Sequence, residues 1–236
     1  MKPIEEVTLL YEITKALNEH LVLKKSLYKV LDILSNSMNM VRGTITILNP
    51  LRNEINIEVA HGMTRNAMER VKYKLGEGIT GRVIETGKAV AIPKISEEPL
   101  FLDRTGARKK RKGQDLSFIC VPVKKGKQVI GALSVDRPFD KSYALKSGQK
   151  LLAVIATMIA SHVIKLETIQ MEKERLREEN RRLKSVLKDK YSIANIVGNS
   201  NKMREVFQMV SQVSKSNATV LIRGESLSLI HISEPT

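Results

Sequence analysis

The 236-residue chain is 42% hydrophobic and 28% charged, which allows a sizeable core and excludes disorder throughout. Its net charge of +15 is gathered largely in the run Arg108-Lys109-Lys110-Arg111-Lys112 and the turn Lys124-Lys125-Gly126-Lys127. Neither run interleaves aromatic residues for base stacking, so both read as solvated loops and not as a nucleic-acid surface.

Residues 5–20 are predicted to be helical, because Val7, Leu10, Tyr11, Thr14, Leu17 and Leu21 recur at steps of three and four. A second helix follows from about Leu23, with a stripe of Leu27, Val30, Leu31, Leu34 and Met38 and with Asn39 as terminator. The period then falls to two. Residues 43–48 alternate up to the turn signal Asn49-Pro50, and residues 53–60 alternate again, so the two runs form a hairpin. Ile55, Ile57 and Val59 are expected on one face of the second strand, with Asn56 and Glu58 on the other. A short helix capped by Thr64 is expected over residues 64–71. Residues 74–87, KLGEGITGRVIETG, read as a glycine-rich entry, a short helix and a stopping glycine.

Residues 89–92 are a short strand ended by Pro93, and residues 94–115 show no period and form a long excursion. Residues 116–123 and 128–136 flank Lys125-Gly126 as a second hairpin, followed by a strongly apolar helix from Ala144 to about Leu166. Its apolar stretch, residues 151–160, is broken by Thr157 and is shorter than the ~18 residues that suggest a membrane span. Acids near the N-terminus stand where a signal peptide would be apolar, so a cytoplasmic protein is expected, with no membrane attachment. A single cysteine, Cys120, allows no intrachain disulfide and no cysteine-cluster metal site. Helices at both ends of a mainly antiparallel sheet specify an α+β fold.

The last helix continues through ETIQMEKERLREENRRLKSVLK as a heptad. Leu166, Lys173, Asn180 and Leu187 take a positions, and Ile169, Leu176 and Leu183 take d positions. Glu172 and Glu179 fall at g and Arg177 and Lys184 at e, the charge pattern of a parallel pair; a lone Asn at a also favours two strands in register. Dimerisation is therefore expected through Leu166, Ile169, Leu176, Asn180, Leu183 and Leu187. A solvated single helix is the alternative, because Lys173 is a weak a position.

Two stretches carry a resemblance. KLGEGITGRVIETGKAVAIPKISEEPLFLDRTG and SFICVPVKKGKQVIGALSVDR, residues 74–106 and 117–137, closely resemble the N-terminal GAF domain of NifA-type activators of nitrogen-fixation genes. The likeness extends over about residues 5–165. Residues 190–226, KYSIANIVGNSNKMREVFQMVSQVSKSNATVLIRGES, look like the start of the AAA+ domain of activators that work with sigma-54 RNA polymerase. There a strand such as residues 218–223 leads into the phosphate-binding loop, of which Gly224, Glu225 and Ser226 are present. The pattern then departs: residues 227–236 read LSLIHISEPT, without the lysine and hydroxyl ligand such a loop needs for phosphate and magnesium. That tail reads as vector-derived and is set apart from fold reasoning. The implied organisation is a GAF sensor domain (residues 1–165), a coiled-coil linker (166–188), a truncated AAA+ start (189–226) and the tail (227–236). Residues 191–226 are expected to be disordered or poorly packed, with apolar surface exposed.

The expected function is regulatory. No catalytic residue is assigned and the chain is expected not to be an enzyme: His20, His61 and His162 share no ligand-spaced motif, no metal is expected, and Cys120 in SFICVPV reads as a buried small hydrophobe. The Gly76-Glu77-Gly78 turn opens a helix whose first amides can face an anion, and Arg82 or Arg104 can supply a charged fork. A ligand site is therefore expected at Gly78, Ile79, Arg82, Arg104, Phe118 and Arg137. The resemblance implies 2-oxoglutarate or another small anion there, with ATP and magnesium bound only in a full-length protein. It also implies a homodimer controlling its own AAA+ domain and sigma-54 polymerase, a NifL-like or PII-like regulator, and no direct DNA binding by this chain. The alternatives are the regulatory GAF domain of a signalling enzyme and a dimerisation module without a ligand.

Overall fold

The computed structural model describes residues 3–49, 54–70, 72–99, 115–191, 200–214, 216 and 219–223. The chain divides into two compact units, Met1–Glu172 and Lys173–Thr236.

The first unit opens with helices α1 (Pro3–Glu19) and α2 (Leu23–Met38). On α2 the residues Leu27, Val30, Leu31, Leu34 and Met38 are all buried, as their spacing requires. The helix stops where Asn39 adopts the left-handed conformation, φ 50°, and donates its N–H to the Ser35 carbonyl. On α1 the buried residues are Leu9, Ile13, Ala16 and Leu17, while Val7 and Tyr11 are each 68% exposed. The expected stripe is corrected accordingly: Leu17 is buried and Leu10 half-buried, but Val7, Tyr11, Thr14 and Leu21 are exposed. α1 has apolar residues on more than one face, and steps of three and four run through each of them. Packing against α2 selects the face.

Six strands form one sheet: β1 (Arg42–Asn49), β2 (Glu54–His61), β3 (Lys72–Lys74), β4 (Val90–Ile92), β5 (Leu116–Lys125) and β6 (Gln128–Pro138). Their order is β3-β2-β1-β6-β5-β4, and neighbours pair antiparallel throughout. Between β2 and β3 lies α3 (Arg65–Arg70), with the Thr64 hydroxyl accepting from the Ala67 N–H at 3.3 Å. Between β3 and β4 lies α4 (Gly78–Thr86). The helix α5 (Leu145–Tyr191) follows β6.

The sheet separates two cores. Leu9, Ile13, Leu27, Leu31, Ile45, Val59, Leu133, Leu152 and Ile155 belong to the larger, beneath α1, α2 and α5. Ile79, Val83 and Ile84 of α4 form the smaller with Ile55, Ile92, Phe118, Cys120 and Ala132. Ile55 and Val59 therefore lie in different layers, not on one face as strict alternation predicted. The register with β1 passes from Ile45↔Val59 to Thr46↔Ile57, so Glu58 is an extra residue, and this bulge inverts the alternation.

α5 runs over 47 residues and crosses the boundary between the two units. Within Leu145–Ser185 an 18-residue window reaches a mean hydropathy of 1.6, enough by length and composition to cross a membrane, and more than the uninterrupted apolar run suggested. That apolar content has another destination: Leu152, Ile155, Ala156, Ile159, Ala160 and Val163 are buried in the larger core.

The second unit contains the rear of α5 and helix α6 (Asn201–Val213), whose cap Ser200 accepts from the Met203 N–H at 3.2 Å. No residue of α6 is buried, and Met209 is 58% exposed. Residues 201–213 are thus helical but unpacked. The strand expected over residues 218–223 is absent from the described residues 219–223, where Leu221 is 76% exposed. A strand needs a neighbour to satisfy its backbone. Gly224, Glu225, Ser226 and residues 227–236 lie outside the described residues.

Candidate functional site

The residues expected to form one ligand site fall in three places. Gly78, Ile79 and Phe118 share the face covered by α4, hereafter the crossover face. Ile79 is 7% and Phe118 is 4% exposed, and both belong to the smaller core. Arg82 stands on the same helix but on its solvent side and is exposed. Arg104 lies outside the described residues, as does the basic run at residues 108–112. Arg137 is on the opposite face of the sheet. Its Cα partner on β5 is Ser117, whereas Phe118 pairs with Asp136, so one residue of register turns Arg137 toward α1, α2 and α5.

The α4 entry is shaped by glycines. Gly78 has φ 61°, a conformation that glycine adopts without strain. A Cβ on Gly81 would lie 2.6 Å from the Lys74 carbonyl oxygen and 3.1 Å from the Gly76 carbonyl carbon, so the helix sits directly on its own entry turn. The Glu77 side chain accepts from the Lys74 N–H at 2.9 Å, and the Glu77 carbonyl accepts from the Gly81 N–H at 3.1 Å, which closes that turn. The first-turn amides, from Gly78 to Thr80, remain without intrahelical acceptors.

Beneath α4 the sheet carries polar residues that the sequence reading did not single out. Arg42 and Asp136 are Cα partners on β1 and β6, and form an ion pair at 3.5 Å with side chains 9% and 3% exposed. Next to them Thr44 Oγ1 and Ser134 Oγ share a hydrogen bond of 2.6 Å, and Thr46 Oγ1 donates to the Ala132 carbonyl at 3.3 Å. The available signal was the alternation of Arg42, Thr44 and Thr46 with Gly43, Ile45 and Ile47, which puts the polar set on one side of β1. Cys120 joins this face fully buried; burial pushes its thiol up to about 12, opposed by a hydrogen bond with Thr80. Such a thiol stays protonated and is a poor nucleophile.

On the other face His162 of α5 meets Ser26 of α2, Nε2 to Oγ at 2.9 Å, with both residues buried. Burial first, and then the nearby Lys165, lower the histidine's pKa. His162 therefore acts as a neutral packing partner of α2. Among the described residues no group of three or more His, Cys, Asp or Glu is placed to hold a metal ion.

The heptad residues lie along α5. Leu166 is half-buried, Asn180 is exposed, and Ile169, Leu176 and Leu183 are 46%, 56% and 57% exposed. Leu187 is helical.

The arrangement combines an antiparallel sheet, a glycine-entered crossover helix and a long terminal helix. Residues 23–163 match the family described as the GAF domain. The chain belongs to the GAF domain family. Across 219 residues, 92% of the chain, it is 38% identical to the nitrogen fixation protein VnfA of Azotobacter vinelandii. Across 222 residues, 94% of the chain, it is 34% identical to the Nif-specific regulatory protein of Herbaspirillum seropedicae. Its GAF domain is thus of the kind found in Nif-specific regulatory proteins. The chain spans about two fifths of the length of these curated relatives, 42% and 41%. Among solved structures, the GAF domain of A. aeolicus nlh2 in an inactive state is 27% identical with a TM-score of 0.63, covering 70% of this chain and 98% of that one.

Proposed function

We propose that this chain is the signal-receiving region of a NifA-like activator of sigma-54 RNA polymerase, acting in the cytoplasm as a homodimer. One observation carries the reading: the likeness to VnfA runs over 219 residues and so takes in the rear of α5 and the sequence after it, not the GAF domain alone. In this reading the GAF domain receives a metabolite or a protein partner and controls the AAA+ domain of a longer protein, which would bind ATP and magnesium. The amides that open α4, beside Ile79 and Phe118, are the proposed recognition region for 2-oxoglutarate or another small anion, with a NifL-like or PII-like protein as the other class of input.

The dimer is supported by the apolar d positions Ile169, Leu176 and Leu183, which are 46–57% exposed in the single chain, beside Asn180. Replacing the matching region of VnfA with residues 1–213 of this chain tests the role. A chimera that activates transcription from a sigma-54 promoter supports it, and one that assembles and binds its promoter yet stays silent under every nitrogen condition sinks it. Light scattering tests the dimer: Leu176→Ser with Leu183→Ser should convert dimer to monomer, and a monomeric parent protein refutes that part.

A ligand-free dimerisation module is the second reading. Arg82 on the solvent side of α4 and Gly81 wedged on its own turn favour it. Calorimetric silence toward 2-oxoglutarate, with dimerisation intact, would decide for it over metabolite sensing at α4.

A further inference from the structure

Arg137 does not belong to the crossover face, and its surroundings point to a different kind of ligand. The residue is 6% exposed, yet its Nε and Nη1 are buried without a hydrogen-bond partner. A guanidinium stays charged at any physiological pH, and leaving two of its buried donors without an acceptor is costly. Arg137 forms no ion pair among the described residues; its guanidinium lies against the Tyr143 ring, 3.1 Å from the centroid. It lines a cavity of about 510 Å³ formed by the first turns of α1, the end of α2, the segment after β6 and the start of α5. That volume lies within the ~300–1,000 Å³ typical of small-molecule sites.

The lining carries both polarities. Arg137 and the start of α5, which reaches the cavity at Ala144, Ser147 and Gly148, favour negative charge. Glu6 of α1 and the carbonyl end of α2 at Ser37, Met38 and Asn39 favour positive charge. Glu6 makes no hydrogen bond or ion pair among the described residues, and it does not pair with Arg137. Asp140 also lines the cavity. Its carboxylate accepts from the Ser142 hydroxyl at 2.7 Å and the Ser142 N–H at 2.8 Å, and these bonds, with a smaller contribution from the Arg137 charge, hold it below the usual carboxylate range. Two carboxylates and one guanidinium therefore line the cavity. A ligand with two carboxylates would meet repulsion here, whereas one that carries both a carboxylate and an ammonium would neutralise Arg137 and Glu6 together.

We propose that this cavity is a binding site for a free α-amino acid, whose carboxylate is taken by Arg137 near the positive end of α5 and whose ammonium is taken by Glu6. The site is separate from the α4 region and does not depend on which downstream domain the chain controls. It also touches α5 directly. A Cβ added to Gly148 would collide with the Tyr143 hydroxyl, so the ring that stacks on Arg137 is packed against the first turns of that helix. Occupancy at Arg137 is thereby felt at the start of α5.

Isothermal titration of the whole chain tests this, with the proteinogenic amino acids as probes and L-glutamate against 2-oxoglutarate as the decisive pair. The two share a carbon skeleton and differ in the ammonium group. The expected result is saturable binding of at least one amino acid, with the amide resonances of Tyr143 and Gly148 shifting in NMR spectra. Arg137→Gln and Glu6→Gln should each weaken it about tenfold or more, the usual effect of losing a charge-assisted hydrogen bond. Thermal melts check that both variants fold; Glu6→Gln is half-buried and keeps its shape, so it remains informative if Arg137→Gln unfolds. The proposal is overturned if no amino acid binds, if binding survives both substitutions, or if 2-oxoglutarate replaces the amino acids as the Arg137-dependent ligand.

Discussion

On one side of the sheet, α1, α2 and α5 close a large apolar core that holds the neutral pair Ser26–His162, with Arg137 buried beside it. On the other, α4 covers a smaller apolar patch, and the strands beside it carry a buried ion pair and paired hydroxyls. The first arrangement gives stability through area. The second keeps charged groups at a depth where a lost partner is not replaced by water, so it holds its geometry more strictly than its size suggests. The difference predicts which face gives way under which substitution.

Asp136→Asn should give the largest effect, about 3–5 kcal/mol in urea unfolding, because it leaves Arg42 buried beside a neutral group. Arg42→Met with Asp136→Leu should recover most of that loss, and a single substitution as mild as the double one would show that the pair is not buried in solution. Ile155→Ala, fully buried under α5, should cost about 2–5 kcal/mol, and Val83→Ala on α4 should cost less, since it removes less volume from a smaller core. A larger loss at Val83 would invert the comparison. Gly81→Ala should cost about 1–3 kcal/mol, since its Cβ would press on the Lys74 carbonyl, although alanine ordinarily favours a helix. A neutral or stabilising outcome would show that α4 moves freely on its turn.

The smallest effect concerns pH. Folding lowers the pKa of His162, so the unfolded chain takes up the proton first as pH falls. The stability from this residue is fully present above about 6.5 and is lost as pH falls through the lower folded value. His162→Leu should flatten this part of the profile; an unchanged slope would assign it to other groups.

The sequence reading recovered the order of the main elements, the buried stripe of α2, both hairpins and the stop at Asn39, all of which depend on local spacing or on a residue's own backbone preference. It failed where the answer depends on a distant partner. α1 has apolar residues on more than one side, and only α2 decides between them. Phe118 and Arg137 are expected in one site, but the pairing of β5 with β6 places them on opposite faces. The polar set under α4 was visible as alternation in β1, yet its meaning required knowing that Asp136 lies opposite Arg42 across 94 positions of chain.

The extra residue at Glu58 has a consequence for how this domain tolerates change in length. Seven residues of β1, from Gly43 to Asn49, are matched by eight of β2. Deleting Glu58 would return the strand to regular pairing, with Val59 still opposite Ile45 and Ile57 still opposite Thr46, and would keep Ile55 and Val59 in their own layers; deleting two residues, or adding one, would turn one of the pair onto the wrong face. The fold should therefore accept either four steps between Ile55 and Val59 with a bulge or three without one, and other changes of length should fall in the connection at residues 50–53.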